Sequence, residues 1–204
     1  MNKNQEKVLC FPRSVLDEKE WFSGLRPDDS SMLDRILQSG KACFVERGRA
    51  EEDESLKQLI PYVVMKCREK VLYYVRGALS GEERLKALGS IGIGGHISVT
   101  DFSLFERDIE DIFFAGLRRE VGEEIRVQTS FSQRVAGFIN DDSNAVGRVH
   151  LGVLVLWDLV HEKVSKRERS ITSLEFASME VLKARRDRLE TWSRIVVDNW
   201  ERLK

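Results

Sequence analysis

A nearly continuous apolar stretch between positions 148 and 160 constrains the fold more than any other part of this sequence. Leucine and valine dominate it, and it has no polar side that could face water, which is typical of a strand in the middle of a sheet. Residues 131–139 predict a second strand, and the polar segment NDDSNAVG between the two predicts their connecting turn. The chain is therefore expected to build a sheet whose central strand is buried.

The segments on either side supply partners for this sheet. Residues 62–67 and 71–77 are β-branched and aromatic runs separated by three polar residues, and they predict a hairpin. Apolar residues that recur at spacings of three, four and four predict an amphipathic helix from 111 to 125. Residues 173–204 mix leucine, valine and tryptophan with many charges, which predicts one or two helices that cover the sheet.

Length and composition indicate one domain with an extension. The chain has 204 residues, and domains commonly run to about 100–200 residues. Residues 1–60 contain short mixed segments and are interpreted as an N-terminal ancillary segment packed on a core domain of 61–204. The 33 basic and 34 acidic residues give a net charge of −1, so no general attraction to nucleic acid or to an anionic membrane is expected.

The cellular compartment is predicted from cysteines and apolar runs. The three cysteines are widely spaced and form no Cys-x-x-Cys pair, which favours a reducing compartment over a disulfide framework. The N-terminal apolar run is too short for the core of a signal peptide, and the longest later one cannot span a bilayer. A cytoplasmic protein without a membrane partner is the expectation.

One face of the helix predicted at 111–125 concentrates acidic residues. Glu120, Glu123 and Glu124, here called the glutamate triad, are three or four positions apart, so a helical period places them on one face. Like charges at these spacings destabilise a helix, which suggests that the triad has a cationic ligand. A hard divalent ion such as Mg²⁺ or Mn²⁺ binds carboxylate oxygens and shares its other positions with water and phosphate.

These residues resemble a known family motif. Gly95, followed at a distance by REVGEEIRV from Arg119 to Val127, is similar to the Nudix box: a glycine, a spaced acid, then R-E-U-x-E-E-x-G-U with U aliphatic. The resemblance implies an α/β (α+β) fold, an α/β/α sandwich around a mixed β-sheet. It also implies a phosphohydrolase that uses Mg²⁺ or Mn²⁺ to cleave a pyrophosphate bond in a nucleoside diphosphate linked to another group.

The resemblance also implies roles for individual residues. Arg119, Glu120 and Glu123 are the expected catalytic residues, the glutamate triad is the expected metal-binding set, and Gly94 and Gly95 are expected at the phosphates. The triad is accordingly expected to converge beside Gly94 and Gly95. Some relatives take the general base from a loop outside the motif, and the candidates for that role here are Glu162, Glu168 and Glu175.

Three departures from the motif bear on these expectations. Gly95 and Arg119 are twenty-four residues apart where the family has fourteen, so an insertion of ten residues is expected within 98–110. Eight residues before Arg119, the supporting acid is Asp111 in place of glutamate, with Glu110 as a substitute. Arg126 replaces the final glycine, so the helix must end without a left-handed cap.

Other interpretations stay open at this point. The chain could be a ligand-sensing or interaction module that keeps the fold without turnover, or an enzyme resembling an isoprenoid-diphosphate isomerase. His96 could contact a phosphate or be hydrogen-bonded for structural reasons. The basic run at 183–188 is typical of a solvated helix face, because no aromatic residue is interleaved with it. The resemblance makes a homodimer possible, and a small nucleotide or diphosphate is the expected substrate.

Overall fold

A computed structural model of the chain describes residues 5–28, 30–77, 88–102, 108–167 and 171–203. The strands in these ranges are β1 (Lys7–Pro12), β2 (Gly24–Pro27), β3 (Cys43–Glu46), β4 (Leu56–Cys67), β5 (Lys70–Arg76), β6 (Gly89–Ser90), β7 (Gly92–Gly94), β8 (Ile125–Val127), β9 (Phe131–Asn140), β10 (His150–Leu159), β11 (Val164–Lys166) and β12 (Ile171–Ser178). The α-helices are α1 (Ser31–Gln38), α2 (Arg47–Ala50), α3 (Ile109–Glu124), α4 (Ala145–Arg148), α5 (Met179–Ala184) and α6 (Thr191–Asp198).

Ten of the described strands form one mixed sheet. Its main path runs β12-β5-β4-β10-β9-β2, and β1, β3, β6 and β7 join it at the sides. The pair β4 and β10 is parallel, from His150 opposite Gln58 to Asp158 opposite Lys66, whereas the other pairs are antiparallel. The apolar stretch predicted to lie in mid-sheet is β10, which lies between β4 and β9.

Helices cover both faces of this sheet. On one face Val63 and Val153 belong to a core shared with α1 and with Leu117 of α3. On the other face, Val64 and Leu154 belong to a core shared with α5 and α6. Because adjacent residues of a strand point to opposite faces, the continuous apolar sequence of β10 serves both cores. The α/β/α sandwich around a mixed sheet is thereby confirmed.

The predicted hairpin is confirmed, although its first strand is longer than expected. Lys66 pairs with Val71 and Cys67 with Lys70, and Arg68 in the turn has a φ of 55°. The strand β4 begins at Leu56 and runs through Pro61, a residue that normally interrupts a strand and that hid this boundary in the sequence.

Two other segments differ from prediction. Residues 173–178 form the end of β12 rather than a helix, since residues 171–178 pair along β5 as an antiparallel strand. The predicted turn before β10 contains the short helix α4, whose first turn is capped by the Asn144 side chain bonding the Gly147 N–H at 3.0 Å. None of the helices in the described ranges is long and apolar enough to cross a membrane.

Strands from residues 1–60 are hydrogen-bonded into the sheet. The strand β1 pairs with β3 and β4, and β2 pairs with β9. The division into an ancillary segment and a domain from 61 onward stays a prediction.

A buried lysine ties the turn before β10 to the sheet. Lys57 has no exposed side-chain surface, and its Nζ donates to Asn140 Oδ1 at 2.7 Å and to Asp142 Oδ1 at 2.6 Å. The same Nζ donates to the carbonyl oxygens of Gly147 and His150 at 2.8 and 3.2 Å. These contacts compensate for burying the charge and fix the position at which β10 begins.

Candidate active site

The helix α3 presents the predicted site residues along its polar side. It begins two residues earlier than predicted, at Ile109, because the Asp108 carboxylate accepts a hydrogen bond from the Asp111 N–H at 2.9 Å and so caps the first turn. Leu117 and Val121 are buried against the sheet, which leaves the neighbouring positions for polar side chains.

Arg119 is the centre of a dense set of polar contacts. Its Nη1 donates to Glu120 Oε1 at 2.8 Å and to Glu123 Oε1 at 3.2 Å, while Nη2 donates to the His96 carbonyl at 2.9 Å. Its Nε and Nη2 form a bidentate pair with Asp101 at 2.5 and 3.0 Å. These hydrogen bonds, above all the one with Asp101, raise the pKa of Arg119 and keep it charged.

Asp101 is a buried acid that pairs with Arg119, and sequence reasoning did not single it out, whereas a supporting role for Asp111 stays a prediction. Asp111 lies eight residues before Arg119 in the same helix, about 12 Å away along the axis. Asp101 lies six residues after Gly95, which is the separation of glycine and acid in the family motif. The ten additional residues therefore all fall between Asp101 and Arg119, partly in 103–107, outside the described residues.

Local structure explains why Asp101 reaches Arg119. Residues 98–101 form a capped turn in which Asp101 Oδ2 accepts from the Ser98 N–H at 2.8 Å, and the Asp101 side chain is only 2% exposed. A β-carbon at Gly116 would lie 2.5 Å from Asp101 Oδ2, so the helix must have a glycine at this point. The buried carboxylate is thus held by a turn on one side and by the Arg119 guanidinium on the other.

Gly95 and the Glu120 carboxylate are in direct contact. A β-carbon at Gly95 would lie 2.0 Å from Glu120 Cδ and 2.1 Å from Oε2. At Gly94, a β-carbon would lie 2.9 Å from the Pro61 carbonyl oxygen, so this glycine is required by the close approach of β7 to β4. The structure therefore brings Gly95 and Glu120 together, and convergence of the whole triad at the two glycines stays a prediction.

The three glutamates of the triad have different surroundings. Burial raises the pKa of Glu120, and the nearby Arg119 only partly counters this. The Glu123 side chain is 61% exposed, whereas that of Glu124 is 11% exposed and lies 3.5 Å from Arg76 Nη2. Among the described residues the triad does not form a group whose ligand atoms all lie within 4.8 Å of one another. Arg119 holds two of its members in this structure, and Glu120 lies over Gly95.

The donor chemistry at this position fits a hard divalent cation. Glu120 and Glu124 supply carboxylate oxygens from two largely buried side chains one helical turn apart, and Glu123 adds a more exposed one. The missing side chain of Gly95 leaves the space that the Glu120 carboxylate fills. An ion bound there would have to compete with Arg119 for the carboxylates of Glu120 and Glu123.

Arg76 is a cation at this site that sequence reasoning missed. Its Nη2 donates to the Tyr74 hydroxyl at 2.8 Å, and that hydroxyl donates to the Gly92 carbonyl at 2.8 Å. Its Nε is buried and has no hydrogen-bond partner in the part of the chain that the structure describes. A single arginine at the end of an apolar strand carries no signal of its own, and the fold brings it to Glu124.

The end of α3 accounts for Arg126 in place of glycine. Ile125 has a φ of −139°, so the chain passes directly from helix to extended strand without a left-handed residue. Arg167 supplies the missing donors: its N–H bonds the Glu124 carbonyl at 2.9 Å and its Nη1 bonds the Gly122 carbonyl at 2.7 Å. The expectation of a different helix end is confirmed, and the cap comes from a distant residue.

The candidate bases outside the motif have cationic neighbours where the structure describes them. Glu162 Oε1 lies 3.1 Å from Lys70 Nζ, and Glu175 Oε1 lies 2.5 Å from Arg185 Nη1. Glu168 lies outside the described residues. A role for any of these three as general base stays a prediction.

His96 lies beside the site but its ring is directed to another partner. Its Nε2 is 3.4 Å from His150 Nε2, although its backbone carbonyl contacts Arg119. Burial, together with the nearby Arg47 and His150, lowers the pKa of His96 well below its usual value, so its ring is neutral.

Known proteins similar to this chain support the family suggested by the motif. No protein-family model matches the chain. Protein YmaB of Bacillus subtilis is 35% identical to it over 207 residues, which cover 97% of this chain and 98% of YmaB. The crystal structure of Tm1382, a protein assigned to the Nudix hydrolases, superposes with a TM-score of 0.80 at 31% identity, covering 98% of this chain and all of Tm1382. The NUDIX domain of Shewanella oneidensis NrtR, complexed with ADP ribose, matches 72% of this chain and 89% of its own length with a TM-score of 0.52 at 16% identity, which shows a shared fold.

The chain therefore belongs to the Nudix hydrolase family. Its membership confirms the enzyme class predicted from the REVGEE segment, a Nudix phosphohydrolase.

Proposed function

We propose that this chain is a Mg²⁺- or Mn²⁺-dependent hydrolase that splits a pyrophosphate bond in a nucleoside diphosphate linked to another group, with water as the nucleophile. The observation that best supports this function is the position of the Glu120 carboxylate over Gly95. Arg119 holds this carboxylate by a hydrogen bond and is itself held by Asp101. Oriented carboxylates beside a glycine backbone are what a metal–diphosphate substrate needs from a protein.

Glu120, Glu123 and Glu124 would hold the ion. When bound, a divalent cation at the triad polarises a phosphoryl oxygen and neutralises the charge that develops on it. Arg119 orients Glu120 and Glu123 through its Nη1, so both carboxylates are fixed before substrate binds. Glu123 is the most exposed member, and it is the one best placed to accept the proton of an incoming water.

The backbone at Gly94 and Gly95 and the side chain of Arg76 would contact the phosphates. Both glycines are half-buried, and Gly95 contacts the Glu120 carboxylate, so its backbone lies beside the carboxylates that would hold a metal-bound phosphate. The buried Nε–H of Arg76 could donate a hydrogen bond to a phosphate oxygen, and the Arg76 guanidinium lies beside Glu124. An arginine so placed favours a polyphosphate over a neutral ligand.

A broad substrate screen tests this function. The full chain is assayed with Mg²⁺ and with Mn²⁺ against dinucleotides, nucleotide sugars and nucleoside triphosphates, and nucleoside monophosphate or phosphate release is measured. We expect metal-dependent turnover of at least one class, and a loss of at least about a hundredfold in Glu123→Gln. Glu18→Gln, on an exposed glutamate far from α3 in sequence, is the matched control and should retain full activity.

The outcomes separate this function from the two alternatives. Metal-dependent thermal stabilisation without release of product would indicate a ligand-sensing module. Rearrangement of an isoprenoid diphosphate without phosphate release would indicate the isomerase. Full activity in both Glu123→Gln and Glu124→Gln would show that the triad is not the site.

A further inference from the structure

A second cluster of ligand-type side chains includes His96, the residue that follows Gly95. Glu51 follows the short helix α2 as its C-cap, His96 follows Gly95, and His150 is the first residue of β10. One ligand atom from each lies within 4.8 Å of the other two. The chain has three histidines, and two of them meet at this point from segments 54 residues apart.

The spacing of the two rings matches a shared ion better than a direct hydrogen bond. His150 Nε2 and His96 Nε2 are 3.4 Å apart. A hydrogen bond from N–H to an acceptor is typically about 2.9–3.0 Å. Two nitrogens that bind one tetrahedral Zn²⁺ with bonds of about 2.0–2.1 Å lie about 3.3–3.4 Å apart. The rings cross at 67°, so neither stacks on the other.

The orientation of His150 is fixed in the manner of a metal-bound histidine. Its Nδ1 lies 2.6 Å from the Val146 carbonyl oxygen, which can only accept a hydrogen bond, so Nδ1 carries the proton. The lone pair of a neutral His150 is then on Nε2, the atom that faces His96. When one nitrogen of an imidazole binds a metal ion, the N–H of its other nitrogen usually donates a hydrogen bond to a group such as a backbone carbonyl, which fixes the ring orientation.

The third ligand comes from the N-terminal part of the chain. Glu51 is exposed, and its Oε1 contacts Arg47 Nε at a long 3.4 Å, which leaves the carboxylate able to bind a cation. Two imidazoles and one carboxylate suit Zn²⁺ and related transition metals, whereas Mg²⁺ prefers oxygen ligands alone. The chemistry of this cluster therefore differs from that of the glutamate triad.

We propose that Glu51, His96 and His150 bind one transition-metal ion of the Zn²⁺ type, at a site separate from the triad on α3. The ion fastens residue 51 to the core and holds His96 in place. The His96 carbonyl oxygen accepts a hydrogen bond from Arg119 Nη2 at 2.9 Å. This proposal does not depend on the proposed hydrolase activity, because the ligands of the ion are not the residues of the triad.

Metal binding by the untagged full chain tests this site. The protein is stripped with a chelator, dialysed, and titrated with Zn²⁺ and with Co²⁺ by calorimetry and by visible absorption. We expect one ion per chain, a visible ligand-field band with Co²⁺, and a rise in Tm with Zn²⁺. Glu51→Gln and His96→Gln should weaken Zn²⁺ binding at least tenfold, whereas His161→Gln, on the exposed third histidine, should bind like the parent.

The variants keep the result interpretable. Glu51 is exposed, so Glu51→Gln should fold even if changes at the buried His150 do not. Glu123→Gln should keep Zn²⁺ binding whether or not it keeps turnover, which separates this site from the triad. Absence of Zn²⁺ and Co²⁺ binding by the parent chain, or unchanged binding in both Glu51→Gln and His96→Gln, would overturn the proposal.

Discussion

Gly95→Ala should reduce activity far more than stability. The new β-carbon would lie 2.0 Å from Glu120 Cδ, whereas ordinary contact begins at 3.4 Å, so the carboxylate must withdraw by about 1.4 Å. A displacement of about 1 Å at a reacting centre can cost about a hundredfold in rate, and we expect a loss of that size in kcat/KM. The displaced atoms end a flexible side chain, so the free energy of unfolding should fall by about 1 kcal/mol or less.

Gly122→Ala, on the same helix, is the matched control. A β-carbon there meets nothing within 4 Å, so this change should leave turnover unaltered and stabilise the helix by about 0.5–1 kcal/mol. Turnover is measured on the substrate found in the screen, Mn²⁺ binding by the loss of its free-ion spin resonance signal, and stability by thermal unfolding. A shift of 1 kcal/mol corresponds to about 2–4 °C in Tm for a chain of this size. If Gly95→Ala turns over within threefold of the parent and binds Mn²⁺ equally well, Glu120 does not act where we place it.

Two further substitutions test the ion pairs described above. Asp101→Asn should lower kcat/KM at least tenfold and stability by about 2–4 kcal/mol, because it leaves Arg119 without its buried carboxylate; equal Tm values for variant and parent would contradict this. Asp142→Asn should cost about 1–3 kcal/mol at pH 7, measured by urea unfolding. Burial alone would raise the pKa of Asp142, but hydrogen bonds from Lys57 and Arg13 outweigh it and lower the pKa below its usual 3.8. This stabilisation is present above pH 3.8 and is lost as the pH falls through the lower folded value, so the parent and Asp142→Asn should converge in strong acid. A difference that stays constant down to pH 2 would argue against this assignment.

The fold could be predicted wherever the sequence period was unambiguous. The apolar run of β10 and the three-four-four spacing of α3 each indicate one structure, and both were placed within about two residues. The end of the chain was harder, because Leu174 and Phe176 alternate with polar residues in a segment that is also rich in charge. This segment forms a strand because it pairs with β5, about a hundred residues earlier in the chain, and local sequence does not indicate that pairing.

The site could be predicted on the helix but not where it involves other segments. Local spacing is enough to put Glu120, Glu123 and Glu124 on neighbouring turns of one helix. Asp101 was not found as a partner of Arg119, because counting back from the arginine assumes a fixed number of intervening residues. Arg76 and Arg167 reach α3 from distant parts of the chain, and nothing in their local sequence indicates this.

The two halves of the family motif are anchored independently in this protein. The first half ends in a turn closed by its own capping contacts, and the second begins at a helix with its own N-terminal cap. The number of residues between Asp101 and Asp108 therefore does not affect how Asp101 and Arg119 meet. The gap can therefore change in length without moving Asp101 relative to Arg119, and a search pattern with a fixed separation will overlook a chain such as this one.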